Sequence, residues 1–174
     1  MEHRDEYPEK IVEGMLALTG QKFLLGTVRT MGILPGFYSG FTAIARDESR
    51  HVNFGVRALM EAGVRDPALL DRAVEVVFRI LEPAVRTVAA PDRKFAVKPE
   101  EVPEQFRVNP YEIREFSLNS LIKRLRVAGV AEETLEEIHR RGISYYDTCW
   151  AEYEENNGEE HPYRFYDRMA AAAG

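Results

Sequence analysis

Two amphipathic helical patterns, separated by a short run rich in glycine and proline, constrain this chain more than any other feature. From Glu9 to about Val28, Leu16, Ala17, Gly20, Phe23, Leu24 and Thr27 place apolar or small residues at the 3.6-residue period. Pro8 suits a first helical position. A second pattern, from about Tyr38 to Ala62, runs through Phe41, Ile44, Gly55, Ala58 and Leu59. Between them, residues 29–40 hold Gly32, Pro35, Gly36 and Gly40 and predict a turn, so the two segments should form a helical hairpin. Three residues break the apolar faces: Glu13 on the first helix, and Glu48 with His51 on the second. Glu48 and His51 are three apart and project from one face. Burying a bare carboxylate is costly, so a glutamate on such a face must be paired, protonated or bound to a cation.

The rest of the chain also reads as helical. Asp66-Pro67 is an N-cap followed by a first-turn proline. It opens a helix over 66–89 with a stripe of Leu69, Ala73, Val76, Val77, Ile80 and Ala84, which Pro83 is expected to kink or shorten. Residues 90–109, with Pro91, Pro99 and Pro103, predict an irregular connection. Asn109-Pro110 repeats the cap, and the helix 110–128 should bury Ile113, Phe116, Leu121, Ile122 and Leu125 before Gly129 stops it. A further helix is expected over 132–155, interrupted near Gly142. The tail 156–174 is polar, then aromatic at Tyr163, Phe165 and Tyr166, then a frayed alanine run. No strand-like alternation is present, so the expected fold is all-α, a single helical domain over 1–174.

Composition narrows the function. The net charge of −6 argues against a nucleic-acid partner or an anionic membrane surface, both of which need a basic face. No apolar run reaches the length of a transmembrane segment, and no signal peptide is visible. A single cysteine permits no intrachain disulfide and suggests a reducing, cytoplasmic setting. Cys149, among Tyr145, Tyr146 and Trp150, reads as a small packing residue, and the aromatics as packing on a last helix. His3, His139 and His161 have polar sequence neighbours and read as solvated. The alternating charges of 132–141 predict a solvated helix face.

The chemistry therefore concentrates at Glu13, Glu48 and His51. A divalent metal resolves the cost of a buried carboxylate and explains the histidine in the same step. Oxygen-rich sites with one imidazole suit iron or manganese better than structural zinc. A glutamate on one helix and Glu-x-x-His on its hairpin partner make up half of the ligand set of a dinuclear carboxylate centre. Asp47 either accepts the second ring N–H of a metal-bound histidine or faces solvent paired to Arg46 or Arg50. The spacing leaves both open.

The segments Ile-Val-Glu-Gly-Met-Leu-Ala at 11–17 and Ala-Arg-Asp-Glu-Ser-Arg-His-Val-Asn-Phe-Gly at 45–55 resemble the ribonucleotide reductase small-subunit (R2) superfamily, most closely its R2-like ligand-binding oxidases. The resemblance covers most of the chain as the C-terminal half of such a protein. It is specific in 45–55, and after about residue 65 the sequence is only compatible. It implies a ferritin-like helical bundle with extra helices packed on the metal hairpin. It also implies Glu13, Glu48 and His51 as ligands to iron or manganese, and Asp47 beside them. Ala17, four after Glu13, stands where the oxidases carry a small residue that opens a cavity for a fatty-acid-like ligand. The family's first-half carboxylate and Glu-x-x-His have no counterpart here. The position five before the ligand glutamate, where the oxidases carry a cross-linking tyrosine, is Pro8, with Tyr7 adjacent. The tail gives no clear match to the segment that docks on the reductase large subunit.

Three expectations explain half a ligand set. Two copies of the hairpin dimerise and rebuild a site of four glutamates and two histidines. Alternatively, the chain is the C-terminal half of a longer protein and is completed by a separate N-terminal half. In the third, it is a degenerate, non-catalytic helical protein in which the three residues form a buried hydrogen-bond cluster. In the first two, the activity expected is that of a dioxygen-activating oxidoreductase acting on a hydrophobic molecule or a neighbouring side chain.

Overall fold

The structure, a computed structural model, describes residues 7–89 and 98–173, with side chains described for 17–88 and 98–172. Among these residues six α-helices follow one another: α1 (Tyr7–Met31), α2 (Pro35–Arg65), α3 (Pro67–Ala89), α4 (Pro110–Ala128), α5 (Glu132–Asn157) and α6 (Arg164–Ala173). Two single 3-10 turns, Pro99–Glu101 and Glu104–Phe106, lie in the connection before α4. No strand occurs among the described residues, and the all-α expectation holds. No helix among them is long and apolar enough to cross a membrane.

The α1–α2 turn is far tighter than the expected 29–40. Gly32 adopts φ 63°, its N–H donates to Arg29 O, and the Ile33 N–H donates to Val28 O. This closes α1 with a Schellman arrangement. Leu34 then takes φ 51° without a side-chain cap, and Pro35 opens α2. Gly36 and Gly40 therefore lie inside α2, since a helix already held by packing tolerates glycine at about 1 kcal/mol each. At its other end α2 passes Gly63 and stops at Arg65, where the Asp66 N–H still donates to Ala62 O. Asp66 also accepts from the Ala68 N–H, so one residue both ends α2 and opens α3.

Two expected interruptions do not occur. α3 runs through Pro83, which lies exposed, so its ring faces solvent rather than a packed neighbour. α5 is unbroken at Gly142, whose missing side chain serves close packing against Leu118 of α4. α4 occupies 110–128 as its signals predict: Asn109 Oδ1 accepts the Tyr111 N–H, and Gly129 closes the helix at φ 99°. The tail is more ordered than expected. Gly158, φ 64°, ends α5, the chain reverses, and α6 follows instead of a frayed run.

The core lies between α2, α3, α4 and α5. Val56 and Leu59 meet Ala73, Val77, Leu81 and Val85, Leu118, Leu121 and Leu125, and Leu135, Ile138, Tyr146, Cys149 and Trp150. Each fully buried leucine or valine contributes about 1.5–3 kcal/mol through transfer from water. Cys149 and Trp150 are packing residues, as expected, and Glu132, Glu133, Glu136 and Arg140 form a solvated face. α1 lies across α2, α3 and α4. Its described side chains add little to the core beyond Val28 and Thr19, whose hydroxyl is 3.0 Å from that of Ser117.

Candidate functional site

The three-residue link makes α1 and α2 an antiparallel hairpin and sets their register. Both helices rise about 1.5 Å per residue, so backbone positions equally distant from Ile33 lie at similar heights. Positions 13 and 17 of α1 thus come level with the stretch of α2 that carries Glu48 and His51. The side chain of Glu13 lies outside the described residues, as do those of Tyr7 and Pro8. Ala17 is half-buried.

On α2 the buried line is Val52, Gly55, Val56 and Leu59. Glu48 stands one turn before it and is 35% exposed, while His51 lies on its flank with 78% of its side chain in solvent. The expectation that both occupy a buried stripe is thus corrected for His51, and for Ile44, which is 56% exposed. The cause is the phase of the helix. Phe41, Glu48, Gly55 and Ala62 recur every seven residues, as do Phe37, Ile44, His51 and Ala58. This seam sits beside the face that α2 turns to the core, and of its outer line Phe37, Ile44 and His51 stand exposed. On α1, Ala17, Gly20, Leu24, Thr27 and Met31 follow the same spacing, and Gly20, Leu24 and Met31 are exposed. A Cβ added at Gly20 or Gly55 would meet no atom within 4 Å. Among the described residues, nine of the eleven large apolar side chains that stand exposed, from Leu24 to Val64, belong to this hairpin.

Glu48 Oε2 and His51 Nδ1 are 3.7 Å apart. Two donors each about 2.1 Å from one first-row cation stand about 3–3.5 Å apart, so a small side-chain adjustment would let this pair hold one ion. The pair fits as two ligands, not as a complete site. Among the described residues no group of three or more His, Cys, Asp or Glu is placed to bind a metal. Asp47 is exposed and accepts a 2.6 Å hydrogen bond from Arg50, the solvent pairing that the spacing left open.

A second histidine is placed differently from its expectation. His161, read as solvated, is 1% exposed. Its ring stacks on Trp150 at 5.0 Å and is edged by Tyr153 and Tyr163. Sequence neighbours gave no sign of this, because the reversal at Gly158 brings the ring onto residues of the preceding helix. The aromatic run at 163–166 was the available signal. His139 is partly exposed with its Nε2 3.7 Å from Glu115, and His3 lies outside the described residues. A cleft of about 400 Å³ lined by Lys98, Glu100, Tyr153, Glu159 and Arg168 contains none of the predicted site residues. Comparison with known proteins finds no match to a family model, to a curated protein or to a solved structure.

Proposed function

We propose that the chain supplies half of a dinuclear iron or manganese carboxylate centre and acts, once the ligand set is completed, as an R2-like oxidoreductase that activates dioxygen. The supporting observation is the Glu48–His51 pair, two metal donors 3.7 Å apart on a hairpin face that the described residues leave partly open. Two such hairpins around a two-fold axis make a ferritin-like bundle in which each contributes a glutamate and a Glu-x-x-His. A second copy of the chain is the source of the missing half that we favour, since two-fold dimers are the commonest assemblies. A separate chain equivalent to the family's N-terminal half is the other. Either would cover the exposed side chains of Leu24, Phe37 and Ile44.

In this reading Glu13, Glu48 and His51 hold the metal, which supplies two-electron reduction of dioxygen when bound. Asp47 exchanges its Arg50 partner for the second ring N–H of His51 and fixes the ring. Ala17 leaves room beside the site for a hydrophobic, fatty-acid-like molecule. A non-catalytic, degenerate protein of the same family is the second reading, favoured by the exposure of His51 and by the Asp47–Arg50 pair.

Native mass spectrometry after reconstitution with Fe(II) and Mn(II) separates the readings. The proposal expects a dimer carrying about one metal per chain, and Glu48→Gln or His51→Ala should abolish uptake with helicity unchanged by circular dichroism. Wild-type occupancy in either variant refutes the ligand assignment. A stable metal-free monomer supports the non-catalytic reading.

A further inference from the structure

We propose that His161 is an acid-sensitive latch that holds α6 and the turn before it against α5, and that protonation of its ring releases them. The turn after Gly158 carries the imidazole onto Trp150, with ring planes 11° from parallel, and Tyr153 and Tyr163 close the sides at 4.7 and 5.2 Å. Nδ1 accepts the Tyr163 N–H at 3.2 Å, so the ring is neutral with its hydrogen on Nε2. Nε2 is buried and has no hydrogen-bond partner among the described residues. An imidazolium would lose the Nδ1 acceptor that fixes the turn, and would bring a charge and a second N–H into a buried place where that N–H faces the Tyr163 N–H, itself a donor.

The surrounding charges do not reverse this. The Trp150 face would attract a cation, but the Arg164 guanidinium already lies over that ring at 5.2 Å. Glu154 of α5 accepts the His161 backbone N–H at 3.1 Å and favours the charged ring, yet it is already engaged by Arg164 at 3.0 Å. In the turn, Glu159 meets the Tyr153 hydroxyl and Glu160 pairs with Arg168. From α6, Asp167 accepts from the Tyr111 hydroxyl of α4 and from Arg164. Lys98 and Glu100 border the adjoining cleft, and Glu100 pairs with Arg168. Burial pushes the His161 ring down to about 4, with Glu154 acting in the opposite sense. The other contacts of α6 include the half-buried bond from Tyr166 to Val108 O, the exposed pair of Arg168 with Glu100, and Arg107 over the Phe165 ring at 5.2 Å. The aromatic box around His161 adds to these a fully buried ring.

Trp150 is the only tryptophan in the chain, so its emission reports this box alone. Emission and hydrogen exchange, corrected for intrinsic rates, are measured from pH 7.5 to 4 in the wild type, His161→Phe and His161→Gln. The latch expects at least a tenfold loss of protection in 164–173 and a red-shifted emission as pH falls, while 118–125 stays protected. His161→Phe, which fills the box without a titrating group, should keep α6 protected at pH 4. Should that variant misfold, the wild-type His161 ring titration by NMR decides, since a midpoint near 6.5 overturns the proposal. Unchanged wild-type protection overturns it, as does loss of 118–125 over the same range. Loss in His161→Phe over that range overturns it too, by assigning release to carboxylates such as Glu154 and Asp167.

Discussion

Replacing Gly142 with alanine sets helix propensity against packing, and the structure decides the sign. Gly142 sits in the interior of α5, where alanine is favoured over glycine by about 1 kcal/mol. On propensity alone Gly142→Ala should stabilise. A Cβ there, however, would lie 2.5 Å from Leu118 Cδ2, 3.1 Å from Cδ1 and 3.4 Å from Cγ. Carbon atoms pack best at about 3.5–4.0 Å, so both methyl groups are inside contact distance. Leu118 is 1% exposed, in one core cluster with Leu121, Ile138 and Tyr146, so its methyl groups can shift only against other buried side chains. Overpacking of a core costs about 1–3 kcal/mol; with one methyl carbon at 2.5 Å the cost falls in the upper part, about 2–3 kcal/mol, which leaves a net loss of about 1–2 kcal/mol once propensity is offset. For a chain of this size that lowers Tm by roughly 2–8 °C. Urea unfolding should show a lower midpoint with an unchanged slope. A variant as stable as the wild type would refute the argument. The cycle with Leu118→Ala tests the cause: in that background Gly142→Ala should be neutral or stabilising, and an undiminished cost there would rule out the Leu118 contact.

Leu34→Asn should raise stability by about 0.5–1 kcal/mol, because Leu34 holds a left-handed conformation at φ 51° that asparagine adopts with less strain; an unchanged urea midpoint would count against backbone strain at this turn. His161, with its folded-state value pushed below the ordinary 6.5 to about 4, contributes fully above pH 6.5 and loses that contribution as pH falls toward 4. Stability should drop by up to about 3 kcal/mol across this window, and His161→Phe should flatten that part of the urea-midpoint profile. Burial raises the Cys149 thiol above its usual range, against the opposing pull of Arg86. Its reaction with a disulfide reagent should therefore be slow in the native protein and fast in denaturant; rapid native labelling would contradict its place in the core.

Much of the helical layout is legible in the residues themselves. Asn109-Pro110 and Gly129 bracket α4, and Asp66-Pro67 opens α3, because caps and fixed φ angles act within a few residues. The breaker signals at Gly36, Gly40, Pro83 and Gly142 mislead for the opposite reason. Their local penalty is about 1 kcal/mol for glycine and about 3 for proline, and packing of a long amphipathic helix outweighs it. Glu48 and His51 stand out as polar interruptions of a periodic face. Periodicity gives the face to within a turn, but it does not say which flank the neighbouring helix covers, and His51 falls on the uncovered side.

The sequence by itself thus determined that the chain is helical, where most helices begin and end, and which two donors share a helix face. Each of these depends on groups one to four residues apart. Tertiary structure alone decided that Gly142 is a contact point, that His161 is enclosed by Trp150, Tyr153 and Tyr163, and that the hairpin seam stays open. These outcomes depend on how distant segments cross, and the free energy of a crossing belongs to the pair of surfaces rather than to either stretch of sequence.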